Sequence, residues 1–140
     1  MKVSDVMTSE IITCSPNERL SDCARMMKDL NIGITPVVDQ DEKLVGVITD
    51  RDIAVRAVSR GEDLSKATVG QFMTPSPTTV DTNSNVEAAA DLMAGAQVRR
   101  LPVTQNGKLV GIVSLGDLAV DIGEAELMGE ILERISTPVR

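Results

Sequence analysis

Apolar residues recur along the chain in two different rhythms. Between residues 20 and 30, Leu20, Cys23, Ala24, Met27 and Leu30 fall at the spacing of one helical face, and Val86, Ala89, Ala90, Met93 and Ala96 repeat that spacing further on. Asn17 and Ser84 stand where N-caps are expected. Around these segments lie short apolar runs: "IITC" (11–14) and "TTV" (78–80) before the helices, then "TPVV" (35–38) and "KLVG" (43–46) after the first, "LPVT" (101–104) and "KLVG" (108–111) after the second. Runs of this length, bounded by turn residues, read as strands. Further helices are predicted to begin near Asp50 and Leu115. The resulting order is β-α-β-β-α, written twice, and the fold class is α/β in the broad sense (α+β).

The duplication extends beyond the pattern to the residues. "VSDVMT" (3–8) matches "VGQFMT" (69–74), "LSDCARMMKDLNI" (20–32) matches "VEAAADLMAGAQV" (86–98), and "GVITDRDIAV" (46–55) matches "GIVSLGDLAV" (111–120). The second copy is one residue shorter between its two central strands, where "QNGK" replaces "DQDEK". A loss there is what a hairpin tolerates, and Asn106-Gly107 suits a type I′ turn, whose central residues both need positive φ. The expected organisation is a first repeat over 1–60, a charged linker over 61–68, a second repeat over 69–123, and a C-terminal amphipathic helix and tail over 124–140, with Leu127, Ile131, Leu132 and Ile135 largely on one side.

Composition narrows the function classes. At 140 residues and 42% hydrophobic, the chain can bury a core without disulfide staples. Its apolar runs fall far below the ~20 residues needed to span a bilayer, and "MKVSDVMTSE" lacks the apolar core of a signal peptide, so the expectation is a cytoplasmic protein with no membrane partner. A net charge of −7 argues against nucleic acid, whose backbone is held by cationic surface. The sequence has no His, and Cys14 and Cys23 form no C-x-x-C, so no metal is expected and both thiols read as reduced, buried small residues. Without His the commonest general base and the Ser or Cys triads are missing, and the chain does not read as an enzyme.

The combination "DVMT", "ITDRD", "VRRLPV" and "GIVSLGD", in register over nearly the whole chain, resembles the tandem cystathionine-beta-synthase (CBS) domain pair, especially its small stand-alone bacterial members. The resemblance implies two repeats packed about a pseudo-twofold axis, association into a homodimer, and two clefts that take adenosine derivatives: AMP, ADP or ATP, with NAD or S-adenosylmethionine as other ligands of this class. It implies regulation of a separate protein effector.

The resemblance also gives roles to residues. Its Ser/Thr-x-x-Asp motif, the ribose and phosphate contact, falls on Thr49 with Asp52 and on Ser114 with Asp117. The chemistry agrees, since a carboxylate can accept from both hydroxyls of a ribose, and a hydroxyl at a helix start suits phosphate. The same spacing is also a capping box, in which hydroxyl and acid satisfy free backbone N–H groups. Arg99 and Arg100 match positions that carry phosphate-contacting basic residues in the family's kinase-regulating gamma subunits, and Arg can grip phosphate with parallel donors. In the first copy those positions are Gly33 and Ile34, so a phosphate there must find charge elsewhere, at Arg51 or at an arginine of the other repeat, and the two sites should be unequal. Thr13 and Thr79 match positions lining the adenine and ribose side; β propensity alone also explains a Thr there. Adenine would lie between aliphatic side chains, because Phe72 is the one aromatic residue. The alternative reading is a constitutive homodimerisation or docking module whose clefts stay empty.

Overall fold

In the computed structural model, which describes residues 1–122 and 133–135, each predicted helical face lies against strands of its own repeat. Helix α1 (Leu20–Leu30) buries Leu20, Cys23 and Met27 against Val37 and Ile48, which come from β1 (Ile34–Val38) and β2 (Leu44–Thr49). Helix α4 (Val86–Ala96) does the same with Val86, Ala89, Ala90 and Met93 against Leu101, Val103 and Val113 of β5 (Arg100–Gln105) and β6 (Lys108–Ser114). The apolar stripes stop short of their predicted ends. Leu30 is 48% exposed and Ala96 is exposed, because the chain turns into the left-handed region at Asn31 (φ 55°) and Gln97 (φ 56°). At each of these the backbone N–H donates back to carbonyls of the last helical turn, which ends the helix.

The starts of α1 and α4 differ from the sequence expectation, whereas helices begin at Asp50 and Leu115 as expected. Arg19, not Asn17, is the N-cap of α1, and its side chain makes no capping bond. The free N–H groups of Leu20 and Ser21 donate instead to the carbonyls of Ala67 and Leu64, each at 2.9 Å, so the linker region caps this helix through its backbone. Asn85, not Ser84, caps α4, its Oδ1 accepting from Ala88 N at 2.8 Å; the Ser84 carbonyl is engaged by Val3 N. Of the two lead-in strands, "TTV" becomes the two-residue β4 (Val80–Asp81), and "IITC" forms a single parallel bridge from Cys14 to Val37.

The described residues form two three-stranded sheets with helices, an α+β arrangement. In one, β1, β2 and β3 (Thr74–Pro75) run antiparallel; in the other, β4 pairs parallel with β5, which pairs antiparallel with β6. Both hairpins slip register at the same repeat position, between Val37 and Val38 and between Val103 and Thr104. The shorter hairpin turns at Asn106 (φ 55°) and Gly107 (φ 80°), as type I′ geometry requires. The longer one closes over Asp39, whose Oδ1 accepts from Asp41 N and Lys43 N.

Two compact units result, Ile12–Pro77 and Met1–Ile11 with Thr78 onward, and these are not the linear repeats 1–60 and 69–123. In the first unit, helix α3 (Val69–Phe72) and β3 join the first repeat: Val69 N and Gly70 N donate to Glu18 and Pro16 carbonyls, and β3 pairs with β2. In the second, the N-terminal "VSDVMT" joins the second repeat, with Val3 N bonded to Ser84 O and Thr8 bridged to Ile112. Each repeat thus receives the lead-in segment of the other copy.

Glycine makes room for these segments. A Cβ on Gly46 would stand 2.8 Å from the Thr74 carbonyl oxygen and 2.6 Å from Met73 Sδ; one on Gly111 would stand 3.0 Å from the Thr8 carbonyl oxygen and 2.5 Å from Met7 Sδ. The expected amphipathic helix at 124–135 lies outside the described residues except for 133–135, which are helical, with Ile135 buried among the second repeat's core residues. Cys14 and Cys23 are free, buried, and 3.5 Å apart at sulfur. The hydrogen bond between them, together with burial, pushes the Cys14 thiol up from its ordinary range.

Candidate functional site

Each hydroxyl–acid pair sits where a central strand runs directly into a helix. Thr49 ends β2 and caps α2 (Asp50–Asp52); Ser114 ends β6 and precedes α5 (Leu115–Ile122). Asp52 N donates to Thr49 Oγ1 and Thr49 N donates to Asp52 Oδ2, both at 3.0 Å. Asp117 N donates to Ser114 Oγ at 3.1 Å and Ser114 N to Asp117 Oδ2 at 2.8 Å. Both motifs are therefore complete capping boxes, which satisfy two backbone donors apiece.

Capping does not exhaust these groups. Each carboxylate spends one oxygen on the box and the hydroxyls accept there, so both hydroxyl protons and the second oxygen of Asp117 stay available to a ligand, while that of Asp52 faces Arg56 Nη1 at 4.0 Å. Asp52 and Asp117 are half-buried, partly shielded from water yet reachable. A ribose diol has the donors for such a carboxylate oxygen, and a phosphate oxygen can accept from the hydroxyl.

The hairpin register brings a different neighbour to each hydroxyl. Arg100 pairs directly with Ser114 across β5 and β6, and the Arg99 carbonyl accepts from Leu115 N at 2.8 Å. Both arginines are exposed, and the pairing sets Arg100 at the strand end that carries Ser114 and Asp117. In the first repeat Ile34 is the partner of Thr49, and the Gly33 carbonyl accepts from Asp50 N at 3.0 Å. The backbone is the same, but the charge is not. The Asp50 carboxylate occupies the space beside Gly33, where a Cβ would stand 3.3 Å from its Oδ2. Leu115 holds the matching position in the second repeat.

The remaining candidates separate. Thr13 and Thr79 are both half-buried, each one residue before the point where its lead-in strand joins β1 or β5 on the edge away from β2 or β6. Thr13 also lines a depression of about 280 Å³ with Ser15, Glu18 and Asp39. Arg51 is exposed, and its backbone N–H donates to Asp50 Oδ1. Sequence reasoning missed Asp50 and Arg56. The Nη1 of Arg56 lies 4.0 Å from Asp52 Oδ1 and donates to the Phe72 carbonyl at 3.2 Å. The signal for Arg56 was present as an acid and a base four positions apart on a predicted helix.

Residues 3–59 and 69–124 each match the CBS domain family. The chain belongs to it. A CBS domain-containing protein of Bacillus subtilis, YhcV, is 42% identical over 134 residues, covering 96% of this chain and 94% of its own. Hypoxic response protein 1 of Mycobacterium tuberculosis is 32% identical over 135 residues, covering 96% of this chain and 94% of its own. The crystal structure of hypoxic response protein 1, which holds two coordinated zinc ions, aligns with a TM-score of 0.79 over 86% of this CBS pair and 98% of that chain. CBSX2, a CBS-pair protein from Arabidopsis thaliana, aligns in its complex with AMP at a TM-score of 0.75 and 31% identity, over 88% and 98% of the two chains. The CBS domain pair of protein MJ0100, in complex with 5-methylthioadenosine and S-adenosyl-L-methionine, aligns at 0.74 and 30%, over 88% and 96%. Among the described residues of the present CBS pair, no three His, Cys, Asp or Glu side chains gather into a group that could hold a metal ion. No helix among those residues is long and apolar enough to cross a membrane.

Proposed function

We propose that this CBS pair is a cytoplasmic regulatory module that binds an adenine nucleotide, AMP, ADP or ATP, at its hydroxyl–acid pairs and carries no catalytic activity of its own. The observation that carries this reading is the collection of Ser114, Asp117 and Arg100 at one strand end, a diol acceptor beside a phosphate-binding cation. Adenosyl ligands in the CBSX2 and MJ0100 structures support the ligand class. Asp117 takes the ribose, Ser114 and the arginines take phosphate, and Thr79 lines the sugar side; Thr49, Asp52 and Thr13 form the corresponding first site. Ligand binding changes the balance between two states of the module, and a separate effector protein reads the difference. A homodimer is the assembly we assign, with Leu30 and Leu92 as exposed apolar residues on α1 and α4.

One observation favours the alternative of a constitutive docking module: both motifs are already satisfied as caps. Equilibrium dialysis separates the two readings. With no Trp, no Tyr and a single Phe, the chain contributes little at 260 nm, so retained adenine is read directly. The nucleotide module retains AMP, ADP or ATP at millimolar concentration and loses it in the double variant Asp52→Ala, Asp117→Ala. Asp117→Ala alone removes a charge-assisted contact of about 1.5–3 kcal/mol, roughly ten- to hundredfold in affinity. No retained nucleotide on the wild-type chain leaves the docking module as the account.

A further inference from the structure

The first site has no arginine at the positions of Arg99 and Arg100, and it carries a carboxylate, Asp50, where the second has Leu115. Phosphate approaching Thr49 would meet Asp50 and Asp52 together. The structure assigns Arg56 to this site as the cation that offsets those two carboxylates and sets the site's preference for anionic over neutral adenosyl ligands. The assignment rests on the nucleotide reading above.

The geometry of Arg56 distinguishes it from Arg51. Residues 53–57 form a single wide turn of π-helix, which follows directly on α2. From this turn the Arg56 side chain reaches across to the Phe72 carbonyl, which accepts from its Nη1 at 3.2 Å, and that nitrogen lies 4.0 Å from Asp52 Oδ1, an ion-pair distance. That carbonyl takes one of five guanidinium N–H donors, and the side chain is 45% exposed, so the others still face solvent and can meet a phosphate. Among the described residues the Arg51 side chain has no comparable anchor; its backbone N–H donates to Asp50 Oδ1. An exposed ion pair by itself stabilises a protein little, so the Phe72 bond fixes the side chain and the approach to Asp52 adds little stability.

The second repeat has the reverse pattern in sequence. Where the first has Gly33, Ile34, Asp50 and Arg56, the second has Arg99, Arg100, Leu115 and Asp121. Basic charge at the strand start is exchanged for basic charge one helical turn beyond the shared Asp. Phosphate at the first site would therefore be approached from the helix, and at the second from the strand.

The test uses a full-length chain whose second site is disabled by Asp117→Ala with Arg100→Ala, and reads calorimetric affinities for adenosine and AMP. Arg56→Gln should weaken AMP about tenfold while changing adenosine less than about threefold, and Arg56→Lys, which keeps the charge, should restore most of the AMP preference. Asp50→Asn, chosen because it leaves Arg56 in place, should raise the AMP preference. If Arg56→Gln does not fold, the Lys and Asn variants decide. An AMP-to-adenosine ratio unchanged in Arg56→Gln, or lost equally in Arg56→Lys, or unmoved by Asp50→Asn, overturns the assignment while nucleotide binding stands. Absence of any adenosyl binding to the wild-type chain overturns the nucleotide reading and this assignment with it.

Discussion

The two repeats share the backbone bonds at their central strand ends and differ in the charge placed there. Both end a central strand on a hydroxyl that closes a capping box with an acid three residues on, and both tie the strand start to the helix start through one carbonyl, Gly33 or Arg99. Yet one strand end presents Arg100 to Ser114, and the other presents Ile34 to Thr49 with Asp50 filling the space at Gly33. A scaffold maintained by backbone hydrogen bonds leaves its exposed side chains free to diverge. Duplication has therefore kept the geometry of the strand end twice while its electrostatics separated.

The shared scaffold is where the largest effects are expected. Met27 and Met93 occupy the same repeat position in the two cores, 5% and 0% exposed. Truncation of either to Ala should cost about 2–5 kcal/mol, with Met93 the more costly, as read from urea denaturation midpoints. Equal costs would mean that the difference in burial does not set the effect, and a cost far below this range at either position would mean that its helix does not build that core.

Exchange of the charged positions tests the divergent part. Arg100→Ile with Leu115→Asp gives the second repeat the residues of the first at two of these positions, and AMP affinity at that site should fall roughly ten- to hundredfold in calorimetry. Unchanged affinity would show that the sites do not differ through these residues.

Glycine replacements probe the crossing segments. Gly46→Ala and Gly111→Ala each force a methyl group toward a carbonyl oxygen, Thr74 at 2.8 Å and Thr8 at 3.0 Å. Overpacking of this kind costs about 1–3 kcal/mol, and the shorter distance predicts the larger thermal shift for Gly46→Ala. The methionine sulfurs can swing aside, so the backbone oxygens decide the order.

Smaller effects belong to the caps and the thiols. Thr49→Ala and Ser114→Ala each delete a side-chain acceptor and should cost about 0.5–2 kcal/mol, similar in the two repeats because the bonds are alike. Cys14 and Cys23 occur in the first repeat alone, buried, with the Cys14 thiol pushed up by its bond to Cys23 and by burial. A disulfide-exchange reagent at pH 8 should label both slowly in the native protein and fully in denaturant, because burial keeps the reagent from either sulfur and the Cys14 thiol also holds its proton, the thiolate being the reacting form. Rapid native labelling would place a thiol at the surface.

Much of this was legible in the residues. The repeat, the helical faces around Leu20 and Val86, the Asn106-Gly107 turn and the two hydroxyl–acid motifs are local patterns, governed by spacing and by allowed backbone angles within a few residues of each other. The helix starts at Asp50 and Leu115 were legible too, but that of α1 was not, because Leu20 and Ser21 find their acceptors in Ala67 and Leu64, more than forty positions away. Nor was the exchange of lead-in segments. Linear order assigns Val3–Thr8 to the first repeat, whereas Gly111 and the Ser84 carbonyl receive it in the second. The anchoring of Arg56 on Phe72 and the position of Asp50 against Gly33 likewise depend on which backbone atoms come close in space. Periodicity and motif spacing determined what each repeat is made of; which segment completes each sheet, and which charges meet at each strand end, were decided by long-range hydrogen bonds and steric fit that no local pattern encodes.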